Sequence, residues 1–359
     1  MNQQSKHKQS KLGAYLRSDK FKPTKWSKYF WALSGTIFIT GLILLCTIGF
    51  NLGLDFTGGN VMDIEAGEQI ENATTYNNAQ AVIEQVLQDN GVTTGISRIQ
   101  IVNSGEDAIL EFQYQNVANK TTAEMTEINT QIQTDLKTQL ATVLTGDVDS
   151  MVKSAETKSA SASTDLLTNS FLALGIAVIA ILIYVAIRFE LISGLAAVIT
   201  LFHDVLLMCA LVLIFRIQID SAFIAAIITI LGYSVNNTIV VFDRVRENMK
   251  KETLAGKTNS EIADLSIKQT LTRTFNTAFT TLVAVVLLAI IGVDAIREFI
   301  IPIIFGLLVG TYAAIFISAP LWAKIITNSR FDKRKEELLK AKKIDKINVI
   351  ETTAESIID

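Results

Sequence analysis

Two ionisable side chains, His203 and Asp204, stand in the middle of the apolar run Leu191–Phe215. At 1.5 Å rise per residue, a helix beginning at Leu191 carries them about 18 Å along its axis. A carboxylate sheltered there is driven toward its neutral form unless a partner compensates. That is the behaviour of a proton carrier. A packing clamp, with Asp204 hydrogen-bonded to a neighbouring helix, is the competing reading. A second apolar run is interrupted by Gly232, Tyr233, Ser234, Asn236 and Asn237. Ala225, Thr229, Gly232 and Asn236 share one helical face, which suits either close helix contact or a polar conduit. Arg273 opens a third run, with Asn276, Thr277, Thr280 and Thr281 behind it. Arg273, Thr277, Thr280 and Ala284 again share a face. A guanidinium keeps its proton, so Arg273 would hold or release an anionic partner. Its level is compatible with a contact to Asn237. Asp243, Arg244, Arg246 and Glu247 mark a mouth at the end of the second run, where basic side chains snorkel to headgroups.

The elements that must position these residues are membrane helices. Six apolar blocks of span length occur at about 30–50, 168–187, 191–215, 221–242, 275–292 and 299–322. A polar side chain inside hydrocarbon is costly and faces protein or a wet cavity. The basic residues give the orientation. Residues 1–29 carry eight Lys or Arg against Asp19, and basic residues recur after Phe242 and after span six. Both ends are therefore expected in the cytoplasm and residues 51–167 outside. The first block is read as an uncleaved span rather than a signal peptide. Span six holds Gly306 and Gly310, four apart, a spacing that favours close helix packing.

Net charge is −3, which gives no footprint for nucleic acid. Cys46 and Cys209 both lie in apolar blocks, and His7 and His203 are far apart in sequence. No metal-ligand cluster or cofactor site is expected, and the chain is not read as an enzyme.

The segment 51–167 reads as a folded external domain and connector. Val61–Glu65 alternates like a strand, Thr75–Asp89 has helical periodicity, and Gly95–Val102 and Ala108–Tyr114 read as strands around a turn containing Gly105. Thr122–Leu144 is helical again, and a weak strand is expected near Val148–Val152. The order β-α-β-β-α-β is the ferredoxin-like pattern. The fold class is thus an α-helical polytopic membrane protein with six transmembrane helices and an external ferredoxin-like α+β domain. Its parts are a basic head (1–29), the first helix (30–50), the external domain (51–167), a five-helix membrane domain (168–322) and a cytoplasmic tail (323–359). The joint between helix and domain is Gly53-Leu54-Asp55-Phe56-Thr57-Gly58-Gly59. Gly58 and Gly59 permit backbone angles that side chains forbid, and Asp55 and Thr57 are expected to cap or bridge the turn locally.

That joint, together with Gly232–Asn248, Phe202-His203-Asp204-Val205 and Arg273-Thr274-Phe275-Asn276-Thr277, resembles the SecF branch of the SecD/SecF protein-export family, within the resistance–nodulation–division transporter class. The resemblance implies a bacterial plasma-membrane protein paired with SecD. It implies that the pair uses a proton or sodium gradient to assist polypeptide movement through the SecYEG translocon. SecA as an indirect partner, YidC, membrane lipid and the unfolded exported polypeptide follow as expected contacts. It also marks Asn236, Asn237, Arg273, Asp204, His203 and Thr277 as candidates for ion coupling or conformational change. One departure stands out. The family pattern has aspartate at the second position of the Asn236-Asn237 pair, where it takes part in coupling with an arginine matching Arg273. Asparagine cannot titrate near neutral pH. Coupling would then fall to a SecD carboxylate or to Asp204, be weakened, or use another ion. The connector also lacks the family's Gly-Pro-containing strand before span two, having Met151–Glu156 there. A small-molecule or lipid exporter of the same class, or a non-transporting scaffold, are the alternative functions.

Overall fold

The computed structural model describes residue 18 and residues 20–92, 96–117, 120–153, 155–158, 160–254, 256–291 and 294–327. Most of the basic head, His7 and the tail beyond Thr327 lie outside the described residues. Six helices are long and apolar enough to cross a membrane. They are α1 (Pro23–Thr47), α6 (Ala160–Arg188), α7 (Leu191–Ile214), α8 (Ser221–Met249), α9 (Asn259–Ile291) and the sixth span, α10 (Asp294–Ala313) continued by α11 (Ala319–Thr327). Pro23 opens α1, where its missing N–H costs nothing. Asp220 caps α8 by accepting from the Phe223 amide at 3.0 Å. Between α10 and α11 the helix widens to a π turn over Ala314–Ser318, just before Pro320 removes a backbone donor.

The expected spans four and five are longer than read. A loop was expected over residues 243–274, yet α8 runs on to Met249 and α9 starts at Asn259. Charged side chains support the extra turns through close pairs: Arg244 with Glu247, and Lys251 with Glu247 at 2.9 Å. Thr258 and Glu261 cap the start of α9 reciprocally, at 2.9 and 3.3 Å.

Spans three, four and six form the centre of the bundle, with 50, 56 and 61% of their most apolar windows buried, against 11, 6 and 11% for spans one, two and five. Small residues let the central helices approach. A Cβ at Gly306 would meet three atoms of Ile230, two of them at 2.7 and 2.8 Å. A Cβ at Gly310 would lie 3.6 Å from Asp204 Oδ2 and from Ser234 Cβ. Gly306→Ala is therefore expected to push α10 off α8 and destabilise the bundle by about 1–3 kcal/mol. Adding Ile230→Ala should recover part of that loss. Melting of the purified chain in detergent measures both, and an unchanged midpoint for Gly306→Ala would contradict the packing.

The external domain has α2 (Leu54–Thr57), β1 (Gly59–Glu65), α3 (Ala73–Asp89), β2 (Ile96–Val102), β3 (Ile109–Tyr114), α4 (Thr122–Leu140), a helical turn α5 (Val148–Met151) and β4 (Glu156–Lys158). The sheet order is β2-β3-β1-β4 with every neighbour antiparallel, which is the ferredoxin-like arrangement. Alternation in β3 buries Leu110, Phe112 and Tyr114 against Ile83, Leu87, Ile132 and Leu136 of the two helices. The weak strand expected near Val148–Val152 is instead α5, with Val152 in a single bridge to Ile64. The edge strand comes later, at Glu156–Lys158, inside the stretch read as a loose connector.

Candidate functional site

Burial at the middle of the bundle gathers polar groups from four spans. Asp204 is 1% exposed and its carboxylate has two partners. Its Oδ1 lies 2.9 Å from His203 Nδ1, and Ser234 of span four donates to Oδ2. His203 Nε2 lies 2.8 Å from Ser34 Oγ of span one, and Ser34 Oγ lies 2.9 Å from the Tyr312 hydroxyl of span six. Trp31 and Tyr312 set their rings edge-on to the imidazole, at 5.6 and 6.1 Å. The result is one hydrogen-bonded chain, Tyr312–Ser34–His203–Asp204–Ser234. Its direction depends on one proton. With a neutral imidazole donating from Nδ1 to Asp204, Nε2 accepts from Ser34, whose oxygen accepts from Tyr312. A protonated imidazole donates from both nitrogens, so Ser34 must accept and then donate to Tyr312. Ser34 and Tyr312 were not singled out from sequence as site residues.

The other intramembrane candidates are not brought together with this chain. Asn237 is 2% exposed and its amide nitrogen has no hydrogen-bond partner among the described residues. Thr238, Tyr233 and Thr274 each leave a buried hydroxyl unpartnered in the same way. Asn236 lies on the opposite side. Ala225, Thr229, Gly232 and Asn236 are all exposed, and a Cβ at Gly232 would meet nothing within 4 Å. Of the two uses that spacing suits, close helix contact is not made at this face among the described residues. Arg273 and Thr280 are exposed as well, Thr277 is half-buried, and no hydrogen bond joins Arg273 to Asn237. At the bundle end Arg188 grips Asp243 at 2.5 Å, tying span two to span four, while Arg246 reaches Asp243 at 3.4 Å. Arg244 donates to Gln269 of span five at 2.6 Å.

The joint is built around Asp55. The expected local cap is not what it makes. Asp55 reaches across to accept from the Ser221 hydroxyl at 2.6 Å and amide at 3.2 Å, at the start of span four, and from Lys158 of β4 at 2.7 Å. Thr57 does act locally, donating toward Gly53 and Gly58 carbonyls at 3.2 Å. The chain just before it is stitched to the turn between spans three and four: Gly53 N donates to Ile219 O, and Ile219 N to Asn51 O, both at 2.8 Å. Gly58 and Gly59 have φ of +70° and +147°, conformations that favour glycine. Burial alone would raise the Asp55 carboxyl, but the hydrogen bonds from Lys158 and Ser221 prevail and hold it below its ordinary 3.8. A folded-state value below the unfolded one gives stability that is complete above the ordinary value and lost as pH falls through the folded one. Asp55→Asn is accordingly expected to destabilise the joint by about 1–2 kcal/mol at pH 7 and by little near pH 2. Amide exchange at Ser221 and in β4, compared at the two pH values, checks this; equal protection of variant and parent at pH 7 would refute it.

A bundle of six apolar helices sheltering titratable groups, with one ferredoxin-like domain carried between the first two, defines a polytopic plasma-membrane protein. The family comparison is specific. The model of the SecD/SecF GG motif matches residues 43–70, which contain the joint, and that of the protein export membrane protein SecD/SecF C-terminal region matches residues 135–328. The chain belongs to the SecD/SecF family. It is 34% identical over 303 residues to the protein translocase subunit SecDF of Bacillus subtilis, covering 83% of this chain and 37% of that one. It is 31% identical over 322 residues to the protein translocase subunit SecF of Helicobacter pylori strain J99, covering 90% and 91%. The crystal structure of SecDF from Thermus thermophilus, described as a translocon-associated membrane protein, is 25% identical with a TM-score of 0.66 over 86% of this chain and 39% of that one. The chain thus spans well under half the length of the SecDF relatives and most of the length of the SecF relative.

Proposed function

We propose that the chain is a SecF-type subunit that pairs with a SecD-like subunit and uses an ion gradient to promote polypeptide export through the SecYEG translocon. Its ends lie in the cytoplasm and its ferredoxin-like domain on the outer side, where it meets the unfolded exported chain. SecA is served indirectly, and YidC is a neighbour in the same assembly. One observation carries the ion-driven part: the buried chain Tyr312–Ser34–His203–Asp204–Ser234 links span one to spans three, four and six. A proton arriving at or leaving the imidazole–carboxylate pair reverses the hydrogen bond that Ser34 makes. Ser34 belongs to the helix that leads into the Gly58-Gly59 joint. Charge at the core is thereby felt by the helix that carries the external domain.

The exposed stripe Ala225–Thr229–Gly232–Asn236, together with the exposed Arg273 of span five, supports a partner outside this chain. There a SecD carboxylate would meet the guanidinium. Asn237, buried on the other side of span four, carries no proton to that face. Membrane vesicles bearing the translocon and both subunits test the proposal. Collapsing the proton and sodium gradients one at a time should identify one whose loss removes the subunits' stimulation of export. Stimulation that survives the loss of both gradients would refute the ion-driven reading. Extraction of the chain without a SecD-like partner would favour the exporter alternative.

A further inference from the structure

A cavity of about 600 Å³ opens at the same end of the bundle as Asp243 and Arg246, between the start of span one, the start of span five and the end of span six. The chemistry of its lining is one-sided. Among the described residues, Lys28 and Lys324 are the charged groups that line it, and no acid does. Between them stand the hydroxyls of Ser27, Ser260 and Thr327, and the deeper wall is Trp31 with Pro320 and Leu321. Asp264, the acid bonded to the lining residue Thr24, accepts from its amide and hydroxyl at 2.9 Å each and does not itself line the cavity. Neither lysine has an ion-pair partner among the described residues. Ser27 is 8% exposed, and its hydroxyl has no hydrogen-bond partner among them either.

We propose that this cavity binds the headgroup of an anionic phospholipid, with the phosphate between Lys28 and Lys324. Neither ammonium is neutralised by a described acid, although Lys28 Nζ lies 4.9 Å over the Tyr29 ring, and two such groups recognise a phosphate as point charges. The hydroxyls of Ser27 and Ser260 supply donors for its remaining oxygens or for a glycerol headgroup, whereas that of Thr327 already donates to the Ala323 carbonyl at 2.7 Å. The tryptophan and apolar wall lie one helical turn deeper, where a lipid places its glycerol backbone and first methylenes. Lys28 sits in the second turn of span one and Lys324 in the last turn of span six, the level at which lysines and tryptophans mark the membrane interface. The volume falls in the roughly 300–1,000 Å³ range of sites for molecules of this size.

Native mass spectrometry of the purified full-length chain, offered equal phosphatidylglycerol and phosphatidylcholine in mild detergent, tests this. One phosphatidylglycerol should be retained in preference to phosphatidylcholine. Lys28→Gln with Lys324→Gln should weaken retention about 10- to 30-fold. Ser27→Ala, which keeps the fold, should weaken it about fivefold. Lys250→Gln with Lys251→Gln should leave it unchanged. Equal retention of the two lipids, or undiminished retention by both cavity variants, overturns the proposal. Displacement of the lipid by millimolar inorganic phosphate would assign the site to the free anion and overturn the lipid.

Discussion

Asp204→Asn is expected to leave the protein folded and to abolish the dependence of export on the ion gradient, whereas Asp204→Ala is expected to lose both. Asparagine has nearly the shape of aspartate. One face of its amide still accepts from an imidazole or hydroxyl, and Ser234 can rotate its O–H to accept from the other. What it cannot do is gain or lose a proton. Alanine removes both acceptors and leaves Ser234 and His203 facing a dry gap beside Gly310. Stranding the partners of a buried charged group costs about 3–5 kcal/mol. Melting in detergent should therefore separate alanine from asparagine, and the vesicle assay should group them together. Gradient-dependent export by Asp204→Asn would remove Asp204 from the coupling step.

Gly59→Ala is expected to uncouple the external domain from the bundle. At φ of +147° an alanine is strained whatever the space around it. There is no space: a Cβ would stand 2.5 Å from the Tyr114 carbonyl oxygen and 2.6 Å from Leu54. The carbonyl belongs to the neighbouring strand, so β1 would have to leave β3. A loss of about 3 kcal/mol or more follows. Gly58→Ala, at φ of +70° and ψ of 166°, falls outside the left-handed helical well in a region essentially reserved for glycine, at a cost of about 1–3 kcal/mol. Amide exchange should show β1 and β3 strongly deprotected in Gly59→Ala, less so in Gly58→Ala, and the bundle unaffected in both. Intact strand protection in Gly59→Ala would show the joint to be tolerant.

The spans and the ferredoxin-like order were legible because they rest on strong regularities: apolar blocks of membrane length, and two helical and three strand periodicities in sequence. The edge strand was not. Glu156-Thr157-Lys158 is exposed throughout and has no alternation; it is a strand only because β1 offers it backbone partners. At the site, His203 and Asp204 stand out because charge in an apolar run is rare. Ser34 and Tyr312 do not. Hydroxyls in such helices usually bond their own preceding turn, as Thr200 and Ser318 do here at 2.8 Å. Nothing in the linear order shows which hydroxyl reaches across instead. The small residues of the Asn236 face suit helix contact or a polar conduit; the structure leaves them exposed, and the same residues fit an internal helix and a partner from another chain.

Asp55 meets both the outgoing and the returning strand of the external domain, through its own position before β1 and through Lys158 of β4. It holds both against the head of span four. With Gln113 of β3 accepting from Gln218 at 3.3 Å, the contacts between the domain and the bundle gather around the turn that leads into span four. A body seated this way responds to a twist of its base by tilting. The tips farthest from the base, near Gly67 and Gly105, sweep through the longest arc. A small rotation at that base would be read out as a larger displacement at the far edge of the domain.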